Sequence, residues 1–314
     1  MPILSEGSPS IADLAPKFVR YIEAELCFAR SSVIKYEDCL RQIIKMIGDR
    51  PVISYTADDV LDLKSAMLRK NHSTARQVSI LSALRQFLDF CRKLEGLSVI
   101  DPNEIVVPKR PRREVAYLTV EEVERFVGAI RLTNLRGKVS ISGLRFRALV
   151  ETLLGSAMRV GELLSLNRID VDFENREARI IGKGNKQRTV FFTERALAWI
   201  QRYLNARTDD HLALFVRQDG LSRLKQPDLW RPFIRYRKVA GINKKITPHL
   251  LRHTAATQLL FNGCPIGHIK EILGHERLET TCRYYLGLDH RAAKQAHQRY
   301  LLYEAPGGRM AQAA

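Results

Sequence analysis

The pattern that most constrains the fold is a helical periodicity that ends about one hundred residues into the chain. Before that point, apolar residues recur at the spacings of one helix face. The clearest such face comprises Tyr36, Leu40, Ile43, Ile44 and Ile47. The stretch DPNEIVVPKRPRREVAYLT then brings three prolines and a basic cluster, and it follows neither a helical nor a strand period. At 314 residues the chain is long enough for two domains. We therefore expect a helical domain over residues 1–103, a basic linker over 104–117 and a second domain over 118–314.

Several helix starts are marked by capping boxes, in which a Ser or Thr and an acidic or Gln residue three positions later bond each other's backbone. Three pairs fit this spacing: Thr56 with Asp59, Thr74 with Gln77, and Thr119 with Glu122. The helix expected after Thr74 carries an apolar stripe formed by Ile80, Leu84, Phe87, Leu88 and Cys91.

The second domain interrupts its helices once, at REARIIGKGNKQRTVFF. Two short runs rich in β-branched and aromatic residues flank a Gly-Lys-Gly-Asn sequence, which predicts a β-hairpin. The expected fold class is therefore mainly α, with a helical N-terminal domain and a mixed, mostly helical second domain that contains a small β-sheet. The chain then returns to helix and ends in the basic segment HRAAKQAHQRYLLYE.

The chain is strongly basic, with 51 Lys and Arg residues against 34 acidic ones and a formal net charge of +17. Positive charge spread along the whole chain favours nucleic acid as the partner over a membrane surface, although composition alone is compatible with any basic soluble protein. No apolar stretch approaches membrane-spanning length, and the N-terminus lacks a signal-peptide pattern. The five cysteines are scattered and form no CxxC pair, which indicates reduced thiols and a cytoplasmic protein.

The segment ITPHLLRHTAATQLL carries candidate binding residues at a helix start. Thr247 and Pro248 open the helix, so His249 and Arg252 share a face near its positive end, where anions bind. A metal is the competing hypothesis, because His249 and His253 are spaced i, i+4, as are Cys264 and His268. The glutamate of a HExxH site and any dense acidic cluster are missing, so the metal hypothesis is the weaker one.

Two further motifs do not indicate a function when each is taken alone. Arg159 and Glu162 are three apart and therefore close on a helix, which alone indicates no more than a surface ion pair. Lys183 lies between glycines at the expected hairpin turn, where an exposed lysine is ordinary.

In LGHERLETTCRYYLGL, Gly274 is expected to end one helix before another begins. Adjacent helical residues point about 100° apart, so Tyr284 and Tyr285 cannot both face one site. An apolar stripe assigns Tyr285 to packing and leaves Tyr284 outside it, and a helix boundary one residue away would undo this assignment. The stripe consists of Leu278, Cys282, Tyr285 and Leu288.

Together, two arginines, a lysine, two histidines and a tyrosine suit attack on a phosphodiester. Guanidinium groups counter the charge that grows on the phosphate, as metals do in other nucleases. A tyrosine hydroxyl, with a reference pKa of about 10, needs a base or a positive environment to attack. His249 is a candidate base and Lys183 a candidate acid for the leaving oxygen. A phosphotyrosine would keep the energy of the broken bond, so rejoining would need no ATP.

The motifs GSAMRVGELLSL, IIGKGNKQRTVFF, TPHLLRHTAAT and ILGHERLETTCRYY, in this order, resemble the tyrosine recombinase (phage integrase) family, and its Xer-like branch in particular. The resemblance covers roughly residues 118–301, and the helical N-terminal half resembles the family's core-binding (SAM-like) domain. It implies Arg159 and Arg252 as the phosphate clamp, Lys183 as the general acid and His249 as the histidine of the HxxR motif.

The resemblance further implies that His275 hydrogen-bonds the scissile phosphate, that Tyr284 is the nucleophile and that Glu162 is a supporting acidic residue. No metal or other cofactor takes part. The doubled tyrosine departs from the family pattern, because many members have another residue at the position of Tyr285. The segment RLTNLRGKVSISGLRFRALV also departs, because it is longer than the family pattern, and we interpret it as a loop that touches DNA or a partner.

The same resemblance implies a partner and an assembly. A C-shaped clamp binds duplex DNA at a specific recombination site, and four protomers on two sites exchange strands through a Holliday junction at the cytoplasmic nucleoid. The C-terminal helix docks on a neighbouring protomer in trans, or packs in cis. An accessory protein or second recombinase is left open, as are the DNA sequence and the biological task. The alternatives are a type IB topoisomerase-like enzyme and a catalytically silent DNA-binding protein.

Overall fold

The computed structural model describes residues 8–109, 116–134, 136–181, 187–275 and 297. The chain splits into two compact units, Met1–Arg113 and Glu114–Ala314. Helices dominate both units and a small antiparallel sheet lies in the second, so the predicted mainly α fold class is confirmed. In the part of the chain that is described, no helix is long and apolar enough to cross a membrane.

The N-terminal unit is built from four helices around an aromatic core. They are α1 (Ile11–Ala24), α2 (Arg30–Ile47), α3 (Ala57–Arg69) and α4 (Thr74–Lys93). Phe18 of α1 is fully buried, and its ring lies 5.4 Å from that of Phe87 and 5.5 Å from that of Phe90 on α4. Edge-on aromatic packing of this kind adds to the free energy gained by burial. Beyond α4, Ile105 also belongs to this core.

The helix starts show which capping predictions are correct. Thr56 caps α3, where the Asp59 carboxylate accepts the Thr56 backbone N–H at 2.7 Å, as predicted. At α4 the prediction is wrong, because the cap is Ser73, whose hydroxyl accepts the Arg76 N–H at 3.3 Å. Arg76 has no acceptor with which to return the bond, so no box forms there. Gln77 instead donates to the carbonyl of His72 at 2.9 Å.

The second unit surrounds one buried central helix. Its helices are α5 (Val120–Gly128), α6 (Ile141–Ser156), α7 (Val160–Ser165), α8 (Glu194–Ala206), α9 (Trp230–Val239), α10 (Pro248–Phe261) and α11 (Ile266–Leu273). The capping box of Thr119 and Glu122 opens α5 as predicted. Helix α6 is buried over most of its circumference because α8 and α10 pack on it. Apolar residues on most sides are expected of a helix at such a central position, and two of its charged residues, Arg147 and Glu151, pair with each other.

The predicted hairpin is present, and the sheet has one more strand than expected. Strands β2 (Glu177–Ile181) and β3 (Gln187–Phe191) pair antiparallel, with Ile181 opposite Gln187. Strand β1 (Val171–Asp172) pairs with β2 on its other edge. Two residues are too few to show a strand period, which explains why the sequence did not indicate β1. The turn that contains Lys183 lies outside the described residues.

The segment RLTNLRGKVSISGLRFRALV is only half a loop. From Ile141 onward it is the first part of α6, capped by the Ser140 hydroxyl, which accepts the Gly143 N–H at 3.2 Å. A side chain at Gly143 would place its Cβ 2.1 Å from the carbonyl oxygen of Arg131, so only glycine permits this approach. The interpretation of the whole segment as a loop is therefore wrong for its second half.

The α4 cap supplies a stability prediction. Replacing Ser73 with alanine removes the acceptor for an unpaired N–H at the helix start and should lower the free energy of unfolding by about 1 kcal/mol. Thr74→Ala is the matched control, because Thr74 is the first helical residue and not the cap. Urea denaturation of both variants measures the difference. An equal or larger loss for Thr74→Ala would contradict the assignment of the cap.

Candidate active site

Arg159 stands at the N-cap of α7, just after a tight turn from α6. The turn depends on Ala157, whose φ of 53° is unusual for a residue other than glycine. This conformation turns the Ala157 carbonyl toward Arg252, whose Nη1 donates to it at 2.8 Å. Arg159 and Arg252 are thus joined through the backbone of one turn.

Glu162 binds both the side chain and the backbone N–H of Arg159. Its Oε1 accepts from Arg159 Nη1 at 2.9 Å, and its Oε2 accepts the Arg159 backbone N–H at 2.7 Å. Oε2 also accepts from Arg188 Nη2 at 2.9 Å. Burial alone would raise the pKa of Glu162, but the Arg159 backbone bond and the charges of Arg188 and Arg159 outweigh it and lower the pKa. The carboxylate is therefore ionised and bound on both oxygens.

Helix α10 presents His249 and Arg252 as the sequence predicted. The Thr247 hydroxyl accepts the Leu250 N–H at 3.1 Å, and Pro248 occupies the first helical position. Arg252 is only 4% exposed, so its charge is held almost entirely by protein groups. An arginine in such a place is fixed in direction before any ligand arrives.

The C-terminal end of α11 brings three arginines together. Arg188 Nη1 donates to the carbonyl of Ile272 at 2.8 Å, and Arg159 Nη2 donates to that of Gly274 at 3.1 Å. Arg252 Nη2 donates to the carbonyl between them, that of Leu273. The last carbonyls of a helix have no partner within it and carry the negative end of its dipole, so they attract cations.

Gly274 ends α11 in the left-handed conformation, as predicted, and His275 follows it directly. A side chain at Gly274 would bring its Cβ to 2.6 Å from Arg188 Nε, so the guanidinium occupies the space a larger residue would need. The close approach of Arg188 and the left-handed φ of 59° both favour glycine here.

The histidines of the site are neutral at pH 7. Burial, followed by the charges of Arg252 and Arg159, lowers the pKa of His249. The same causes, together with Arg188, lower the pKa of His275 to about 4. Burial and the neighbouring His249 lower the pKa of His253 to about 4. A neutral imidazole can accept a proton at one nitrogen and donate an N–H from the other.

The i, i+4 pair of the metal hypothesis packs as two rings. The centroids of His249 and His253 are 4.2 Å apart in an edge-on arrangement. Cys264 precedes α11, the helix that carries His268, so that pair does not share a helix. Within the described ranges, no group of three His, Cys, Asp or Glu residues is placed to hold a metal ion.

The structure brings together five of the residues that the sequence singled out: Arg159, Glu162, His249, Arg252 and His275. Lys183, Tyr284 and Tyr285 lie outside the described residues. Sequence reasoning missed Arg188. Its signal was the alternation along β3, which places this arginine on the same side of the strand as the buried Val190.

A cavity of about 840 Å³ opens beside these groups. Arg159, His249 and Arg252 line its polar side, and Trp230 and Phe233 belong to its apolar side. The arrangement joins fixed cationic donors, a neutral base and an open space, which is what an anionic substrate such as a phosphodiester requires.

The histidine pKa values predict how stability depends on pH. The folded protein keeps His253 and His275 neutral, whereas the unfolded chain binds their protons near pH 6.5. Stability should therefore fall as the pH is lowered from about 7 to about 5, by at most about 1.4 kcal/mol per pH unit for each histidine. Denaturant titrations at several pH values measure this slope. His253→Asn should flatten it, whereas His268→Asn, at an exposed position on α11, should not. Equal slopes in all three proteins would contradict the assignment.

Comparison with known proteins places this site in a family. Residues 116–291 match the phage integrase family. Over 257 residues, which are 79% of each chain, the sequence is 33% identical to the tyrosine recombinase XerC of Chlamydia trachomatis serovar L2.

Two solved structures share the fold. The Tn1549 transposon integrase in complex with transposon right end DNA has a TM-score of 0.76 and 20% identity, covering 94% of this chain and 100% of that one. A lambda integrase tetramer bound to a Holliday junction has a TM-score of 0.70 and 16% identity, covering 88% of this chain and 80% of that one. The family match and the XerC similarity lead to one conclusion. The chain belongs to the phage integrase family and is a Xer-like tyrosine recombinase, an enzyme that cleaves and rejoins DNA.

Proposed function

We propose that this recombinase cleaves each DNA strand through a 3′-phosphotyrosine formed by Tyr284, with Arg159 and Arg252 as the clamp on the scissile phosphate. The observation that carries the proposal is the convergence of these two arginines on adjacent carbonyls, those of Gly274 and Leu273, directly before His275. Two guanidinium groups from different helices are held side by side where they can bind one anion.

The clamp acts by charge and by direction. A guanidinium has five N–H donors, and the contacts with Glu162 and Gly274 use two of the five on Arg159. The side chain of Arg159 is 45% exposed, so donors remain accessible to a phosphate. In the pentavalent transition state the non-bridging oxygens gain negative charge, and donors already fixed in place stabilise that charge without reorganising.

His249 and Lys183 transfer protons in the proposed reaction, and His275 contributes a hydrogen bond. The Tyr284 oxygen attacks phosphorus while neutral His249 takes its proton, and the bond from phosphorus to the 5′ oxygen breaks. Lys183 gives a proton to that 5′ oxygen, which leaves as a hydroxyl. His275 donates an N–H to the phosphate. The 5′-hydroxyl of another strand then attacks the phosphotyrosine, and the same steps in reverse release the tyrosine and rejoin the DNA.

The proposed partner is duplex DNA with a specific recombination site, bound by both units, with the N-terminal unit as the core-binding domain. The net charge of +17 supports a polyanionic partner. The lambda integrase tetramer on a Holliday junction supports a homo-tetramer on two sites. The proposed docking of the C-terminal helix in trans rests on the family resemblance of the sequence motifs. We assign the reaction to the cytoplasmic nucleoid, and an accessory protein or second recombinase is left open as a further partner.

Similarity to XerC favours recombination over topoisomerase-like relaxation and over catalytically silent DNA binding. A two-site assay separates these functions. Recombination predicts exchange of flanking DNA between sites, a topoisomerase predicts relaxation without exchange, and a silent protein predicts binding alone.

The nucleophile can be tested with a nicked duplex that carries the cognate site. Cleavage near the nick releases a short 5′ fragment, so the covalent complex accumulates. Tyr284→Phe removes the attacking oxygen and should abolish the complex while DNA binding is unchanged. Tyr285→Phe is the matched control and should form the complex. The reverse result, with trapping by Tyr284→Phe and none by Tyr285→Phe, would exchange the two assignments.

The clamp can be tested by truncation. Arg159→Ala or Arg252→Ala removes donors from the transition state and should raise the barrier by about 3 kcal/mol each, on the order of 10²-fold in rate. Single-turnover cleavage at saturating DNA measures this loss. Arg217→Ala is a control matched to Arg159 in exposure, since the Arg217 side chain is 47% exposed and paired with Asp228, and that of Arg159 is 45% exposed. Cleavage by both clamp variants at the rate of this control would refute the clamp.

A further inference from the structure

We propose that Arg188 is a positioning residue for strand cleavage, a third arginine that sets the geometry of the clamp. Its side chain bridges Glu162 and the carbonyl of Ile272 and so joins strand β3 to α7 and α11. The proposal rests on the proposed roles of Arg159, Arg252 and His275 and adds a residue to the machinery that holds them.

Arg188 binds the same carboxylate that holds Arg159. Glu162 Oε2 receives both Arg188 Nη2, at 2.9 Å, and the Arg159 backbone N–H, at 2.7 Å. A carboxylate held by Arg188 therefore fixes the residue from which the clamp extends. The Arg188 side chain is 16% exposed and that of Glu162 is 8% exposed, so little water is available to replace either partner. Loss of Arg188 removes one of the two guanidinium groups that compensate the buried Glu162 carboxylate.

Three arginines bind successive carbonyls at the end of α11. Ile272, Leu273 and Gly274 accept, in turn, from Arg188, Arg252 and Arg159. Arg188 binds the first carbonyl of this series. If that contact were lost, the end of the helix could shift, and the two clamp contacts and His275 would shift with it. A displacement of about 1 Å in a catalytic group can cost about 10²-fold in rate.

The contacts of residue 188 with Glu162 and Ile272 need an arginine. Separate nitrogens of Arg188 bind Glu162 and Ile272. A lysine carries one nitrogen at the end of a flexible chain and lacks the planar fork that spans two acceptors in fixed directions. Gly274 completes the fit, because a Cβ there would lie 2.6 Å from Arg188 Nε.

Arg207 offers a matched comparison within the same unit. It too joins a carboxylate, that of Asp209, to backbone carbonyls, including that of Ala213 at 2.8 Å. Its hydrogen-bond partners in the described part of the chain are Asp209 and the carbonyls of His211, Ala213 and Leu214, which lie outside the clamp. An arginine that merely stabilises the fold should behave like Arg207, whereas a positioning residue should be coupled to the clamp.

The experiment is a double-mutant cycle on the full chain, with the rate of covalent complex formation on the nicked duplex as the readout. Arg188→Met should slow cleavage about 10- to 100-fold in the otherwise unchanged protein. In an Arg159→Ala background the same change should cost at least about fivefold less, because much of what Arg188 positions is already gone. Arg207→Met should lower the unfolding temperature and cost the same factor, large or small, in both backgrounds.

Arg188→Lys keeps the charge and serves as the second variant, including where Arg188→Met fails to fold. It should bind DNA normally and cleave within about threefold of the rate of Arg188→Met, or at least about tenfold below the unchanged protein if only the lysine variant folds. Full activity of the lysine variant would overturn the proposal, because charge alone would then suffice. An equal cost of Arg188→Met in both backgrounds would overturn it as well.

Failure of the proposal is distinguishable from failure of the proposed function. If Arg159→Ala is slow but Arg188→Met cleaves normally, the clamp stands and the positioning role is wrong. If Arg159→Ala itself cleaves normally, the clamp assignment is wrong, and with it the role built on that assignment.

Discussion

The site depends on one interaction: three guanidinium groups bound to the three successive carbonyls that end α11. A helix end supplies acceptors that have no other partner and that point in one direction, along the helix axis. These acceptors let positively charged side chains approach one another more closely than their mutual repulsion would otherwise allow. The protein thereby keeps a concentrated positive field in place before DNA arrives. His275 directly follows Gly274, which carries the last of these carbonyls.

Glu162 offsets part of the charge of these arginines, and the histidines beside them are neutral. The buried carboxylate offsets part of the charge of Arg159 and Arg188, and the Arg159 backbone bond and these charges lower its pKa. Burial and the charges of nearby arginines lower the pKa of His249 and His275, so both histidines are held in the neutral form. A neutral imidazole beside a cationic clamp is suited to take a proton from a tyrosine hydroxyl, which an imidazolium could not do.

Local patterns in the sequence predicted much of the fold and part of the site. The capped start of α10, the end of α11 at Gly274 and the hairpin of β2 and β3 are each set by residues within a few positions of one another. The misses are also local. Ser73 and Thr74 are adjacent residues that both make good caps, and the structure has Ser73 as the cap of α4. The length of the segment before Arg159 indicated a loop, but burial against α8 and α10 makes its second half the central helix.

The sequence by itself determined the helix and strand periods, the residue types of the site and, through its ordered motifs, the family. Tertiary structure alone decided that Arg159, Arg188 and Arg252 meet at one helix end. The physical reason is separation along the chain: Arg159 lies 115 residues from Gly274, and Arg188 lies 84 from Ile272. Periodicity reports on neighbours within a turn or a strand, whereas contacts over such separations follow from how the elements pack. Arg188 lies in the hairpin motif and alternation along β3 indicates its side of the strand, but its contacts became visible only in the tertiary structure.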